Sequence, residues 1–297
     1  MPDDPTRTAV TDPAQVGAAA DALRNLLGGV RQGEPLRYGA LQLIPLLPVV
    51  APAERQAEYL PLDAALARSL LTVTEQPQAT VPELQASSVA DVPVIMITGE
   101  QVVGGLQNRV LNTTILVGAK TTLRIPVTCV ERGRWRHAPT AAAGDESRDE
   151  RSFSSDEVAY SQLRKAHAKA VTSSLGYGGG HRSDQGMVWQ EVSARMLRAG
   201  SSSPTDAMDT LYKAPERAEK IQEAVAALPY PAGALGFIAV LGARVTGAEL
   251  FADPALAAAY WEKLARSYAV EALDLDRRDP TTTEGSADDT AIAGESQ

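Results

Sequence analysis

The chain is short of the residues that most often announce a chemistry. It has one cysteine, Cys129, and three histidines, at 137, 167 and 181. A single cysteine excludes an internal disulfide and any zinc site built from several thiolates, so a metal would have to rest mainly on carboxylates. No metal site is expected, and no cofactor is named by any motif. Aromatic residues make up 5% of the chain, which leaves Leu, Val, Ile and Ala to build the core. Runs of Lys and Arg are missing and the formal charge is −9. That balance argues against nucleic acid and anionic membrane as partners, since both need clustered positive charge. The longest apolar run, 41–52, is interrupted by Gln42, Pro45 and Pro48 and is too short to cross a bilayer. The start, MPDDPTRTAVTDP, lacks the apolar core of a secretory signal. The expectation is a soluble, cytoplasmic protein.

What is present is enough hydrophobic sequence, 44% of 297 residues, for a sizeable core. Residues 1–12 read as a flexible tail. Val16, Ala19, Ala20, Leu23, Leu26, Leu27 and Val30 recur at helical spacing, and Gly28–Gly29 end the element. From 36 to 135 the pattern is mainly β. Leu36–Val50 predicts one or two strands, with Pro45 and Pro48 favouring an edge or bend. LPLDAALARSL at 60–70 is a short helix, followed by the β-rich runs 71–75 and 92–98. VLNTTILV (110–117) and TLRIPVTCVE (122–131) flank GAKT and predict a hairpin.

Residues 137–151 read as a flexible connection, and 154–273 as mainly helical. Ser154 with Glu157 fits a capping box opening a helix to about Ser174, and GYGGGH (176–181) breaks it. Ser183 is placed to cap a helix carrying Met187, Val188, Val192, Met196 and Leu197 to Gly200. Pro215 starts another. A second hairpin is expected around Gly242, and Asp253–Pro254 opens a last helix with Leu256, Tyr260, Leu264, Ser267 and Tyr268 inward. From Asp274 to the end an acidic, disordered tail is expected. The fold class is therefore α+β: a β-rich N-terminal body, sandwich or partly closed barrel, with C-terminal helices and a hairpin packed on it. Residues 13–273 are read as one integrated domain.

The segment 99–135 carries the functional signal. Glu100, Gln107, Asn108, Arg109, Asn112, Thr113 and Thr114 crowd around short apolar runs, where an unpaired buried amide costs roughly 1–3 kcal/mol. Such residues form a satisfied internal network or face a ligand. Arg109 has the fork that grips a phosphate or carboxylate, with Gln107, Asn108 and Asn112 to read a ribose or base edge. The opposing reading pairs Arg109 with Glu100 or Glu131 inside the fold. Glu100 and Glu131 are the candidate acid and base of a hydrolase, or ligands of a divalent ion such as Mg²⁺, or partners in a salt bridge to Arg109 or Arg134. Cys129 shares a strand face with Val127 and Glu131 and reads as a small buried hydrophobe. Arg134 and Trp135 offer an anion contact and a stacking ring, or a plug. The glycine loop 176–186 lacks a P-loop lysine; ahead of Asp184 and Gln185 it is a mobile loop or a lid.

Several blocks in order, LQLIPLL (41–47), GEQVVGG-QNRVLNTTILV (99–117), IPVTCVERGRW (125–135), DQGMVW (184–189), SPTDAM (203–208) and LGFIAVLGARVTGAELFADP (235–254), carry a resemblance across roughly 20–273. They resemble the ARG and rhodanese-phosphatase-superfamily-associated protein domain family. The resemblance implies a link to ADP-ribose or nucleotide metabolism by association, which assigns no reaction. Three readings follow. The chain is a binding or accessory protein for a nucleotide-type small molecule held by the QNR block; or a hydrolase of such a ligand through Glu100 or Glu131; or a protein-interaction module, with a protein partner or a second copy, whose polar block is structural.

Overall fold

The computed structural model describes residues 13–50, 58–76, 81–135 and 152–276; the expected tail before residue 13, the connection at 137–151 and the expected acidic tail from 277 onward lie outside them. Helix α1 (Pro13–Gly28) precedes strands β1 (Val30–Gln32), β2 (Leu36–Tyr38) and β3 (Leu41–Pro48). Strand β4 (Leu60–Pro61) runs into helix α2 (Leu62–Ala67). There follow β5 (Leu71–Thr74), β6 (Glu83–Ser88), β7 (Val94–Met96), β8 (Glu100–Gly104), β9 (Arg109–Leu111), β10 (Ile115–Val117) and β11 (Thr122–Cys129). Strand β12 (Phe153–Val158) leads to helices α3 (Ser161–Gly176), α4 (Gln185–Ala199), α5 (Thr210–Lys213) and α6 (Pro215–Ala227). The hairpin β13 (Gly236–Leu241) and β14 (Arg244–Leu250) and the long helix α7 (Pro254–Asp276) complete the α+β order.

Six strands form one sheet in the order β12-β8-β9-β11-β6-β5, and a bridge between Thr74 and Ser152 joins its two ends. The result is a partly closed barrel. Side chains alternate across each strand, so Val73, Leu84, Val102, Leu111, Val127 and Phe153 fill the inside. The small sheet β10-β7-β4 adds Val94, Met96, Ile115 and Val117 to the same core. Val110 and Val130, on the opposite face, meet Leu163 of α3 and Val188 and Val192 of α4 in a second core.

The other sheet runs β1-β3-β13-β14, with β2 also paired to β3. Helix α7 covers it: Tyr260, Trp261, Leu264 and Tyr268 pack with Leu41, Leu43, Phe237 and Ala239. The Phe237 ring meets Trp261 and Tyr268 edge-on at 4.9 and 5.6 Å; such pairs add about 0.5–1.5 kcal/mol each beyond their burial. Pro45 sits in a central strand, against the edge expectation. Its carbonyl accepts from Gly33 N at 2.8 Å, where β1 has ended and β2 has not begun. In an antiparallel strand a residue's N–H and C=O point to the same neighbour, so the donor that proline lacks would also have faced that gap.

Several local expectations give way to pairing at long range. Ser154 and Glu157 do not cap a helix. They lie in β12, where Phe153 and Val158 are buried, Ser154 Oγ donates to Val103 O across the sheet, and α3 starts only at Ser161. The hairpin around GAKT is not formed. The segment 110–117 splits at Asn112–Thr114, so that β9 pairs with β11 while β10 leaves to pair with β7. Helix α4 is capped by Asp184, whose carboxylate accepts from Met187 N at 3.0 Å, not by Ser183. Leu197 on that helix points outward, 83% exposed. The chain stays helical past Asp274, because that side chain is buried between Arg195 (2.8 Å) and Arg217 (2.9 Å) and ties α7 to α4 and α6.

Candidate functional site

The QNR block folds inward. Cα register pairs Arg109 with Cys129 and Val110 with Thr128, which brings Gln107 and Asn108 beside Glu131. Asn108 N donates to Glu131 Oε2 (3.1 Å), Gln107 Nε2 donates to Glu131 O (2.8 Å), and Thr205 Oγ1 donates to Glu131 Oε1 (2.9 Å). Arg134 donates to Glu131 Oε2 through Nε (2.8 Å) and to Gly105 O through Nη1 (2.7 Å). Its Nη2 donates to Asn108 Oδ1 (2.9 Å), fixing that amide's orientation. Glu131 and Arg134 are 5% and 8% exposed. Of the anticipated pairings, that of Glu131 with Arg134 is the one formed.

Arg109 meets neither Glu100 nor Glu131. It is fully buried, with Nη1 donating to Gln107 Oε1 (3.3 Å) and Nη2 3.8 Å from Glu75 Oε1. Its Nε and Nη2 make no hydrogen bond among the described residues. Cys129 is buried too, its thiol pushed up by desolvation and donating to Gln107 Oε1 at 2.9 Å. Trp135, the next residue after Arg134, is 55% exposed and plugs nothing.

Glu100 belongs to another neighbourhood and shares no partner with Glu131. Its Oε2 accepts from Ile97 N at 2.7 Å, and its Oε1 lies 3.4 Å from Lys263 Nζ, which also holds Asp63 (2.7 Å). Burial pushes the Glu100 carboxyl up to about 7, with Lys263 pulling the other way.

Asn112 and Gln185 do come together, around a cavity of about 230 Å³ that Thr128, Arg182 and Ser183 also line. Gln185 presents its amide to one backbone residue as a strand would: Oε1 accepts from Cys129 N (2.9 Å) and Nε2 donates to Cys129 O (2.8 Å). Asn112 accepts from Thr128 Oγ1 (2.5 Å) and donates to His181 O (3.0 Å). Thr113 is half-buried beside it, and Asp184 is spent on its cap.

A larger space lies elsewhere. A cleft of about 590 Å³ opens between β7, β10 and the end of β14, with apolar walls from Tyr59, Ile95, Ile97, Ile115, Phe251 and Leu256. Its polar groups are Thr98, Thr114, Arg164 and Glu249. Arg164 Nη1 donates to Glu249 Oε1 at 2.5 Å, and Tyr268 OH donates to the same oxygen at 2.7 Å. Glu249 Oε2 takes no hydrogen bond among the described residues, and the side chain is 17% exposed. Two glycines let this cluster close up. Gly99 has φ +82°, and a Cβ there would lie 2.6 Å from Arg164 Cγ and Cδ; a Cβ at Gly247 would collide with the Tyr268 hydroxyl. Of these cleft residues, Thr114 belongs to the polar block marked in the sequence and Leu256 to the predicted inner face of the last helix; Arg164 and Glu249 carry no sequence signal of their own. The available signal was Gly247, a glycine inside a strand, which marks close backbone approach.

Glycine-to-arginine packing, the QNR network and the Asn112 turn all fall within one stretch of family similarity, residues 29–295. The chain belongs to the ARPP-1 family, the ARG and Rhodanese-Phosphatase-superfamily-associated Protein domain. The match starts where α1 ends, so that helix stands outside the part of this ARPP-1 domain that defines the family. No curated protein and no solved structure matches the chain. Among the described residues the ARPP-1 domain holds no group of three or more His, Cys, Asp or Glu placed to bind a metal ion, and no helix long and apolar enough to cross a membrane.

Proposed function

We propose that this ARPP-1 domain is a binding or accessory protein for a nucleoside- or ADP-ribose-type ligand, seated in the cleft beside Glu249. The observation that carries the reading is the half-used carboxylate. Glu249 Oε1 is held by Arg164 and Tyr268 while Oε2 is left to accept, at the wall of a largely apolar cleft of about 590 Å³. Clefts of about 300–1,000 Å³ with apolar walls and a few fixed polar groups are the usual form of small-molecule sites. An acidic side chain accepting from ribose hydroxyls is a recurrent way to hold a nucleoside. Thr98 and Thr114 add hydroxyls at the same place, 3.2 Å from each other. The family's name supports an accessory role alongside other proteins and goes no further.

The hydrolase reading through Glu100 or Glu131 gains nothing from the geometry. Each of their carboxylate oxygens already accepts from the protein. The interaction-module reading is favoured for the Glu131–Arg134 network itself, which is sealed and satisfied.

Thermal-shift titration with adenosine, ribose and ADP-ribose tests the proposal, using the wild type and Glu249→Gln. A ligand at a hundredfold excess over its Kd stabilises by about 2.7 kcal/mol. The expected result is a shift in the wild type that disappears in Glu249→Gln, and the mutant's own melting point is read without ligand to show that it folds. No shift with any of the three, or a shift unchanged in the mutant, overturns it.

A further inference from the structure

The cavity at Asn112 has a chemistry different from the cleft, and the difference lies in which hydrogen bonds are already used. The acceptor oxygen of Asn112 is taken by Thr128 Oγ1, and that of Gln185 by Cys129 N. Each amide nitrogen spends one hydrogen, on His181 O and on Cys129 O respectively. An amide NH₂ carries two, so each of these side chains keeps an N–H to donate, beside an oxygen that already accepts once. Ser183 Oγ, also at the lining, is shut off from solvent and without a partner among the described residues. Arg182 completes the set with a guanidinium that makes no hydrogen bond or ion pair among the described residues. Among the described residues no carboxylate lines the space; the nearest in sequence, Asp184, is turned onto Met187 N. The remaining lining is apolar, from Val81, Pro82 and Val127.

Donors from four side chains, one of them a free cation, around about 230 Å³ with no competing anion make a receptor for a small oxyanion. We propose that this cavity binds a phosphate-type oxyanion, gripped by Arg182 and Ser183 and seated on the spare N–H groups of Asn112 and Gln185. The site stands independently of the ligand in the cleft. It is also close to it. Asn112 lines the cavity and Thr114 lines the cleft, and two residues of extended chain span at most about 7 Å. The phosphate is therefore either a free ion or the charged part of a ligand whose uncharged part enters the cleft.

The test is calorimetric titration of inorganic phosphate into the full chain at constant ionic strength, with Arg182→Gln, Ser183→Ala and Glu249→Gln in parallel. The side chains of Arg182 and Ser183, in the loop before α4, have no partners among the described residues, so both variants are expected to keep the wild-type melting point. The expected outcome is phosphate binding by the wild type, weakened tenfold or more in Arg182→Gln, weakened less in Ser183→Ala, and unchanged in Glu249→Gln. Retention in Glu249→Gln separates this site from the cleft, so either can fail alone. Adenosine monophosphate in a second arm identifies the source. Affinity above that of phosphate, lost in both Arg182→Gln and Glu249→Gln, gives one ligand spanning both spaces; affinity equal to phosphate gives a free ion. Absence of phosphate binding, or binding unaltered by Arg182→Gln, overturns the proposal.

Discussion

Two arginine–glutamate pairs in this protein, built from the same groups, have opposite consequences. Arg134 and Glu131 are sealed: both carboxylate oxygens accept, and all three guanidinium nitrogens donate. Arg164 and Glu249 are equally close, but one carboxylate oxygen carries both bonds and the other is left at the wall of a cleft. A pair whose valences are all met is a fastener, joining the loop 104–108 to the end of β11. A pair with one acceptor left over has something to offer a ligand. The densest polar stretch of the sequence built the fastener, and the residues around the opening come from widely separated places.

The largest expected effect comes from breaking the fastener. Glu131→Ala strips Arg134 of its counter-charge in a site 8% exposed, and uncompensated buried charges cost about 3–5 kcal/mol. Urea unfolding should show a loss of that size. A loss below about 1 kcal/mol would mean that the network is dispensable and the contrast between the two pairs is mistaken.

Next comes Glu100, which lies behind the cleft wall and holds Ile97 N. Its carboxyl titrates near 7 in the folded protein and near 4.5 in a free chain. Between those values the native state keeps a proton that the unfolded state has released, so stability is full below the lower value and falls as pH rises through 7. The full effect is about 3 kcal/mol. His167 works against it: burial lowers it from 6.5 to about 4, so it stays neutral when folded and costs stability as pH falls below 6.5. The two slopes oppose each other in mildly acidic solution; between pH 6.5 and 8 that of Glu100 dominates, the raised thiol of Cys129 acting at higher pH. Wild type should therefore lose stability between pH 6.5 and 8, and Glu100→Gln should flatten that part of the profile. An unchanged slope in the mutant would place the titrating group elsewhere.

Glu249→Gln should move stability less than Glu131→Ala, because glutamine keeps an oxygen to accept from Arg164 and Tyr268 and Arg164 keeps its bonds to Ala159 O (2.9 Å) and Ser267 Oγ (3.1 Å). Its effect should fall on ligand binding instead. A stability loss as large as that of Glu131→Ala would erase the distinction drawn between the two pairs.

How much of this was legible beforehand divides along the range of the interactions. The hairpin at 236–250, helix α7 with its inner face of Leu256, Tyr260, Leu264 and Tyr268, and the stop at Gly200 are written in local spacing and caps, and they are found there. Strand β12 was missed because its identity comes from pairing Ser154 with Val103, far away in the chain, which outweighs a capping pattern three residues long. The turn at Asn112–Thr114 was missed for the same reason: β10 finds β7 rather than its sequence neighbour. Polarity in a β-rich segment showed that Gln107, Asn108, Arg109 and Glu131 needed partners, but periodicity has no term for which partner. The cleft was not legible as a site: Thr114 stood out only as part of the polar block, and Tyr59, Arg164 and Glu249 meet it only after folding.

The smallest expected effect sharpens the contrast from within the conspicuous block. Trp135 follows Arg134 directly, yet the arginine is 8% exposed and the tryptophan 55%. If belonging to the block were what mattered, the two neighbours would be comparably important. If the sealing of the network is what matters, Trp135→Ala should change stability by no more than about 0.5 kcal/mol, as surface substitutions usually do. It should also leave the response to cleft ligands intact, since Trp135 does not line that cleft. Urea unfolding and the ligand titration, run beside Glu131→Ala, decide it. A loss of binding in Trp135→Ala with stability unchanged would move the ligand from the cleft to this exposed ring, and the open pair at Glu249 would then be a fastener as well.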